Sequence, residues 1–288
     1  MRNMVMLGGV FGFCLMGTYL SAQTLPNLNN YELIWSDEFN QDGAPNSENW
    51  RYEHGFVRNN ELQWYQAENA YCKNGLLVIE ARKESNLKNP NYVSDSKEWR
   101  KNREYIDYTS SCLITAGKQE WKAGGYYEVR ARINTASGSW PAIWLLGNEK
   151  EWPDNGEIDI MEFYRINNEP HILANAAWGT SKRYTAAWDS EKILFKSFLE
   201  KDPNWASKFH VWAMDWNDRS MNIYLDGELL NEIDLSKIKN ADGTNPFTSE
   251  QEFYFLLNLA VGSNGGVPEE SAFPLKYEVD YVRVYEMK

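Results

Sequence analysis

Gly156-Glu157-Ile158-Asp159-Ile160-Met161-Glu162 is the stretch from which the rest of the chain is read. Its three carboxylates fall within six residues and are separated by large apolar side chains. Ile158, Ile160 and Phe163 predict a strand in a packed sheet. Side chains alternate along a strand, so Glu157 and Asp159 share one face. Glu162 lies five positions after Glu157 and by simple alternation belongs to the opposite face. One extra residue, a β-bulge near Ile160-Met161, returns it to the face of the other two acids. Ile158, with Ile160 or Met161, then enters the core.

An acidic strip of this kind suits glycoside hydrolysis. A retaining enzyme needs two carboxyl groups roughly 5 Å apart, one a nucleophile and the other an acid that later acts as a base. Crowding raises the pKa of at least one carboxyl and keeps a proton ready for the leaving oxygen. In this reading Glu157 is the nucleophile, Glu162 the acid and base, and Asp159 supports both. From spacing alone, a solvated acidic face and a calcium site remain open beside it. Like charges this close repel on a sheet, which weighs against an inert face.

The motif Glu157-Ile158-Asp159-Ile160-Met161-Glu162 resembles the bulged signature of glycoside hydrolase family 16, the laminarinase-like group. Gly138-Ser139-Trp140-Pro141-Ala142-Ile143-Trp144 resembles that family's Trp-rich strand. Trp35 to Phe39, Asn59 to Gln63 and Val279 to Tyr285 match in the family's order, so the resemblance runs from about Tyr31 to Tyr285. It implies an all-β sandwich, a jelly roll with a concave substrate cleft. Substrate contacts are implied at Trp140, Trp144, Asn59 and Asn60. A structural calcium is implied on the convex side near Glu38 and Asp280, where oxygen ligands suit that ion. Laminarinases commonly carry a His near Ile172 to Thr180. Here Trp178 stands nearby instead, as a further candidate sugar contact.

The composition agrees with a glycan substrate. The 288 residues suffice for one large all-β domain and include 13 Trp and 17 Tyr, whose flat faces stack on sugars or fill a core. A net charge of −12 disfavours nucleic acid and anionic membranes as partners. The only basic run of any size is Lys97 to Arg103. Met1-Arg2-Asn3, an apolar run from Met4 to Tyr19 and the small residues before a cut after Ala22 read as a secretory signal. The expected organisation is a signal peptide at 1–22 and a single catalytic domain at 23–288. The mature chain is expected to be an exported monomer without a membrane span, located in the periplasm, at the cell surface or outside the cell. Cys72 and Cys112 are expected as buried free thiols, although export permits a disulfide. No cofactor is required for this chemistry.

Elsewhere the pattern is one of short strands and Gly, Asn and Pro turns, among them Asn74-Gly75 and Asp226-Gly227. Alternation puts Trp140, Ala142 and Trp144 on one face, with room for a ligand over Ala142. Lys83 to Tyr108 is long, charged and poor in apolar residues, and reads as a loop that either walls the cleft or is an inert insertion. Lys192 to Leu199 suggests a short helix or lid. His171 and His210 have no metal-ligand spacing. The expected function is endo-acting hydrolysis of internal β-linkages. The candidate substrates are a β-1,3 or mixed-linkage glucan and galactose-containing chains such as agarose, keratan, polylactosamine or mucin-type O-glycans. A non-catalytic carbohydrate-binding protein on the same jelly roll is the alternative.

Overall fold

The computed structural model describes residues 26–248 and 251–288. The signal sequence expected at 1–22 lies outside the described residues. The chain forms two large sheets laid face to face, one of ten strands and one of eight. The strands β1 (Ser139–Gly147), β2 (Glu157–Ile166), β3 (Glu169–Gly179), β4 (Ala186–Leu194) and β5 (Glu252–Val261) belong to the eight-stranded sheet. Their spatial order is β4-β3-β2-β1-β5, all antiparallel, and the sheet continues past β5 to Cys112–Ile114 and Arg51–Tyr52. The expected all-β sandwich is therefore observed.

Alternation explains how one sheet serves both core and cleft. Ile143 and Leu145 of β1, Ile158 and Phe163 of β2, Ile172, Ala174 and Ala176 of β3, and Phe253, Phe255 and Leu257 of β5 are buried in the main core against the other sheet. Their neighbours in sequence face away from it. Trp212, Met214, Tyr127, Val129, Val279 and Val282 come from the ten-stranded sheet to meet them. Removing this apolar surface from water is the main favourable term in folding.

The turn signals are realised with the backbone they require. Asn74-Gly75 and Asp226-Gly227 have positive φ at both residues, the geometry of a tight two-residue hairpin. Gly156 opens β2 at φ 77, and a Cβ there would lie 2.8 Å from the Phe247 ring. Only glycine fits both constraints.

Two expectations need correction. The segment after Arg82 is not simply a loop, because its strand runs on to Lys88 and pairs with Tyr105–Ser110. The remaining loop is pinned to the segment before Gln63. Arg100 Nε donates to Phe56 O (3.0 Å), and Arg103 donates to Glu61 O (2.6 Å) and Asn60 O (3.0 Å). The region around Lys192 is the end of β4, and the only α-helix among the described residues follows it as α1 (Phe195–Lys201). A polar edge strand lacks the apolar alternation that would have revealed β4.

No helix among the described residues is long and apolar enough to cross a membrane. Cys72 and Cys112 are both buried and unpaired. In a chain lacking residues 1–22, a thiol reagent is expected to find no reactive cysteine in the native state and two after unfolding. Two thiols that stay silent on unfolding until a reductant is added would reveal a disulfide instead.

Candidate active site

The site grows from one irregularity in β2. Asp159 pairs with Asn175 and Glu162 with Leu173, so three steps on β2 match two on β3. On the other side, Ile143 pairs with Met161 and Trp144 with Asp159. The extra residue sits at Ile160-Met161, where the sequence placed it. Ile158, Ile160 and Met161 are all fully buried in the core, including two consecutive residues. Glu157, Asp159 and Glu162 consequently line one cavity on the opposite face, together with Trp140, Ala142, Trp144 and Asn258.

Each acid has a fixed donor. Asn175 Nδ2 donates to Asp159 Oδ2 (3.0 Å) and Glu162 Oε2 (3.2 Å). The Ser190 hydroxyl of β4 donates to Asn175 Oδ1, which holds the amide that way round. Trp140 Nε1 donates to Glu162 Oε1 (3.0 Å), and Trp152 Nε1 donates to Glu157 Oε2 (2.7 Å). Asp159 is only 2 % exposed, whereas both glutamates are partly open to the cleft.

This environment separates the two glutamates. Burial raises the Glu157 pKa to about 7, and the Trp152 hydrogen bond and the Arg58 charge oppose the rise. Burial, reinforced by the charge of Glu157, raises Glu162 to about 8. Asp159 is pushed up by burial and by both neighbouring carboxylates. Each glutamate has one indole donor, so the difference lies in charge: Arg58 acts to lower Glu157, and Glu157 acts to raise Glu162. Such a divided pair supplies a nucleophile and an acid.

The candidate sugar contacts divide as well. Trp140 and Trp144 line the acid cavity but are only 7 % and 8 % exposed. Trp144 donates to Asn258 Oδ1 (2.7 Å), and the Arg58 guanidinium lies over its ring at 5.1 Å. Asn59 and Asn60 are exposed turn residues with positive φ, and their neighbours Arg58 and Glu61 line the cavity instead. Trp178 is corrected outright, because it shares the inward face of β3 with Ala174 and Ala176 and packs against the core. Alternation in β3 held that information.

Sequence reading missed the open side of the cleft. A cavity of about 340 Å³ runs from Trp140, Glu157 and Glu162 to Trp188, Ser190 and Lys192. Trp188 pairs with Ala177 on β3, which pairs with Glu157, so its ring stands in the row of that glutamate. Trp188 is 47 % exposed and Trp152 36 %. Neither position carried a signal in the sequence, since Trp188 lies on a polar edge strand and Trp152 in a turn.

Glu38 and Asp280, suggested as calcium ligands, each meet an arginine in this structure. Glu38 accepts from Arg283 Nε and Nη2, both at 2.9 Å, and Asp280 pairs with Arg130. Each carboxylate already has a guanidinium partner. Among the described residues no three His, Cys, Asp or Glu side chains are grouped to hold a metal.

Comparison with known proteins places this geometry. The family profile described as "Beta-porphyranase A-D, GH16 domain" matches residues 32–287. A "Beta-glucanase" of Rhodothermus marinus is 32% identical over 299 residues, covering 99% of this chain and 94% of that protein. A "Keratan-sulfate endo-1,4-beta-galactosidase" of Sphingobacterium multivorum is 27% identical, over 93% of this chain and 58% of its own. A solved structure described as "Prominent members of the human gut microbiota express endo-acting O-glycanases to initiate mucin breakdown" superposes with a TM-score of 0.79. It is 32% identical and covers 92% of this chain and 94% of the other.

The raised pKa values carry a stability consequence. Between the ordinary carboxyl value of 4.5 and values of about 7 and 8, the folded chain holds protons that the unfolded chain has released. The stability contributed by these groups is complete below about pH 4.5 and is lost as pH rises through 7 and 8. Glu162→Gln is therefore expected to raise the melting temperature at pH 8 more than at pH 5. An equal change at both pH values would contradict the buried-acid picture.

Proposed function

The chain belongs to glycoside hydrolase family 16 and is an endo-acting glycosidase. From that premise we propose that it is a retaining enzyme that cleaves internal β-linkages of a galactose-containing glycan of the mucin O-glycan kind. Glu157 attacks the anomeric carbon as the bond to the leaving oxygen breaks, and Glu162 delivers its proton to that oxygen. In the second half, Glu162 takes a proton from water. The water oxygen then displaces Glu157 from the sugar, so configuration is kept. Asp159 holds Glu162 in place and limits the charge gathered at the site.

The observation that carries this assignment is the amide of Asn175, which bonds Asp159 and Glu162 together. A single donor reaches both only if the bulge has turned Glu162 to the cleft. The indole bonds to the two glutamates are matched, and the nearby Arg58 charge favours Glu157 as the ionised member, hence the nucleophile.

Support for the substrate comes from the match to the O-glycanase structure. A β-1,3 or mixed-linkage glucan is the second reading, favoured by the glucanase relative that spans 99% of the chain. Export is part of the proposal and rests on the apolar run from Met4 to Tyr19 and the small residues before Gln23.

Glu157→Gln and Glu162→Gln are each expected to remove nearly all hydrolysis, by about 100-fold or more, while the variants still fold. Wild-type protein incubated with laminarin, lichenan, agarose, keratan and mucin O-glycans should release intermediate-length products from the mucin or keratan chains. Cleavage of laminarin or lichenan alone would select the glucan reading, and full activity in either glutamine variant would reject the roles. Trp188→Ala is expected to raise KM several-fold with little change in kcat, as loss of one stacking surface predicts. An unchanged KM would remove Trp188 from the substrate path.

A further inference from the structure

Arg58 is held more rigidly than a surface arginine and is left with one hydrogen-bonding group unused. Its Nη2 pairs with both carboxylate oxygens of Glu53, and its guanidinium lies over the Trp144 ring. Its Nη1 is buried and has no hydrogen-bond partner. A buried donor without a partner is disfavoured unless something supplies an acceptor. The cavity beside Arg58 is also lined by Glu61, Trp144, Glu157 and Asn258. Other polar groups there have partners, and the Glu61 carboxylate keeps lone pairs for a further donor. Asn258 bonds Trp144 and Tyr65, and Glu61 accepts from Gln63 Nε2 (2.6 Å) and Asn59 Nδ2 (3.2 Å).

The size and charge of this cavity restrict what enters. Its volume is about 50 Å³, against about 340 Å³ on the Trp188 side. That space admits a few water-sized groups but not a sugar ring. Four carboxylates line it, Glu61, Glu157, Asp159 and Glu162, and the single cation is already paired with Glu53. Whatever the protonation of these acids, an anionic substituent would lose its hydration in this narrow space without meeting a free counter-charge.

We propose that the Arg58 side of the cleft is a specificity pocket for an uncharged exocyclic hydroxyl or hydroxymethyl group of the sugar seated at the carboxylates. Arg58 Nη1 donates to its oxygen and Glu61 accepts its hydrogen. The pocket rejects the same position when it carries a sulfate ester. The long loop after Lys88 supports the pocket, since Arg100 and Arg103 bond the backbone carbonyls of Phe56, Val57, Asn60 and Glu61 on either side of Arg58. This inference rests on the carboxylates being the sugar site. It does not require that Glu157 and Glu162 act in the order given above.

Calorimetry on the slow Glu162→Gln parent tests it. The probes are a β-1,3-glucan hexasaccharide, a neutral galactose-containing hexasaccharide, and the fully O-sulfated form of each. The parent should bind at least one neutral probe and neither sulfated form. Adding Arg58→Lys keeps a cation for Glu53 but removes the forked second donor, and should weaken binding about tenfold or more without lowering the melting temperature. Glu61→Gln, which leaves the Arg58 pair intact, should weaken it as well. Unchanged affinity in both variants, sulfated probes bound as tightly as neutral ones, or no neutral probe bound by the parent would each overturn the proposal. Wild-type protein that binds but does not cleave would count against the hydrolytic reading alone.

Discussion

The structure depends on the misregister of a single strand. In β2 two consecutive side chains, Ile160 and Met161, both enter the core. A regular strand cannot do this, and the extra residue that permits it also turns Glu162 to the side of Glu157 and Asp159. Core packing and the cleft are thus fixed by the same backbone irregularity. The apolar surface buried by Ile158, Ile160, Met161 and Phe163 anchors the strand and holds three acids in place on its other face.

Holding them there is unfavourable, and the neighbouring strands supply what offsets it. β1 contributes the Trp140 indole, β3 the Asn175 amide, β4 the serine that orients that amide, and the turn before β2 the Trp152 indole. All four side chains stand on one sheet or on its connecting turn, so the donors are positioned as rigidly as the acids. The residual imbalance appears as raised pKa values, which suit proton transfer near neutrality and weaken the fold as pH rises. Stability and chemistry draw on the same groups in opposite directions.

The aromatic residues show how far local pattern reaches. Trp140 and Trp144 share the cleft face as alternation requires, yet one is occupied with Glu162 and the other lies under Arg58. Trp188 opens onto the cleft from a polar edge strand, and Trp152 reaches Glu157 from a turn. Neither segment has periodicity to betray its role. In Arg58-Asn59-Asn60-Glu61 the stretch was legible but the face was not. The two asparagines take up the left-handed turn, and this rotates the charged flanking residues inward.

The sequence by itself determined the sandwich, the strand that carries the acids, the bulge between them and the tight turns at Asn74-Gly75 and Asp226-Gly227. These follow from period-two alternation and local backbone preference, which a linear pattern contains. The tertiary structure alone decided that Trp178 faces the core, that Trp188 stands in the row of Glu157, that Glu38 and Asp280 each face an arginine, and that Arg58 keeps a donor free beside the acids. Those outcomes depend on which strand lies next to which and in what register. Neighbours far apart in the chain meet only once the two sheets have closed on their core.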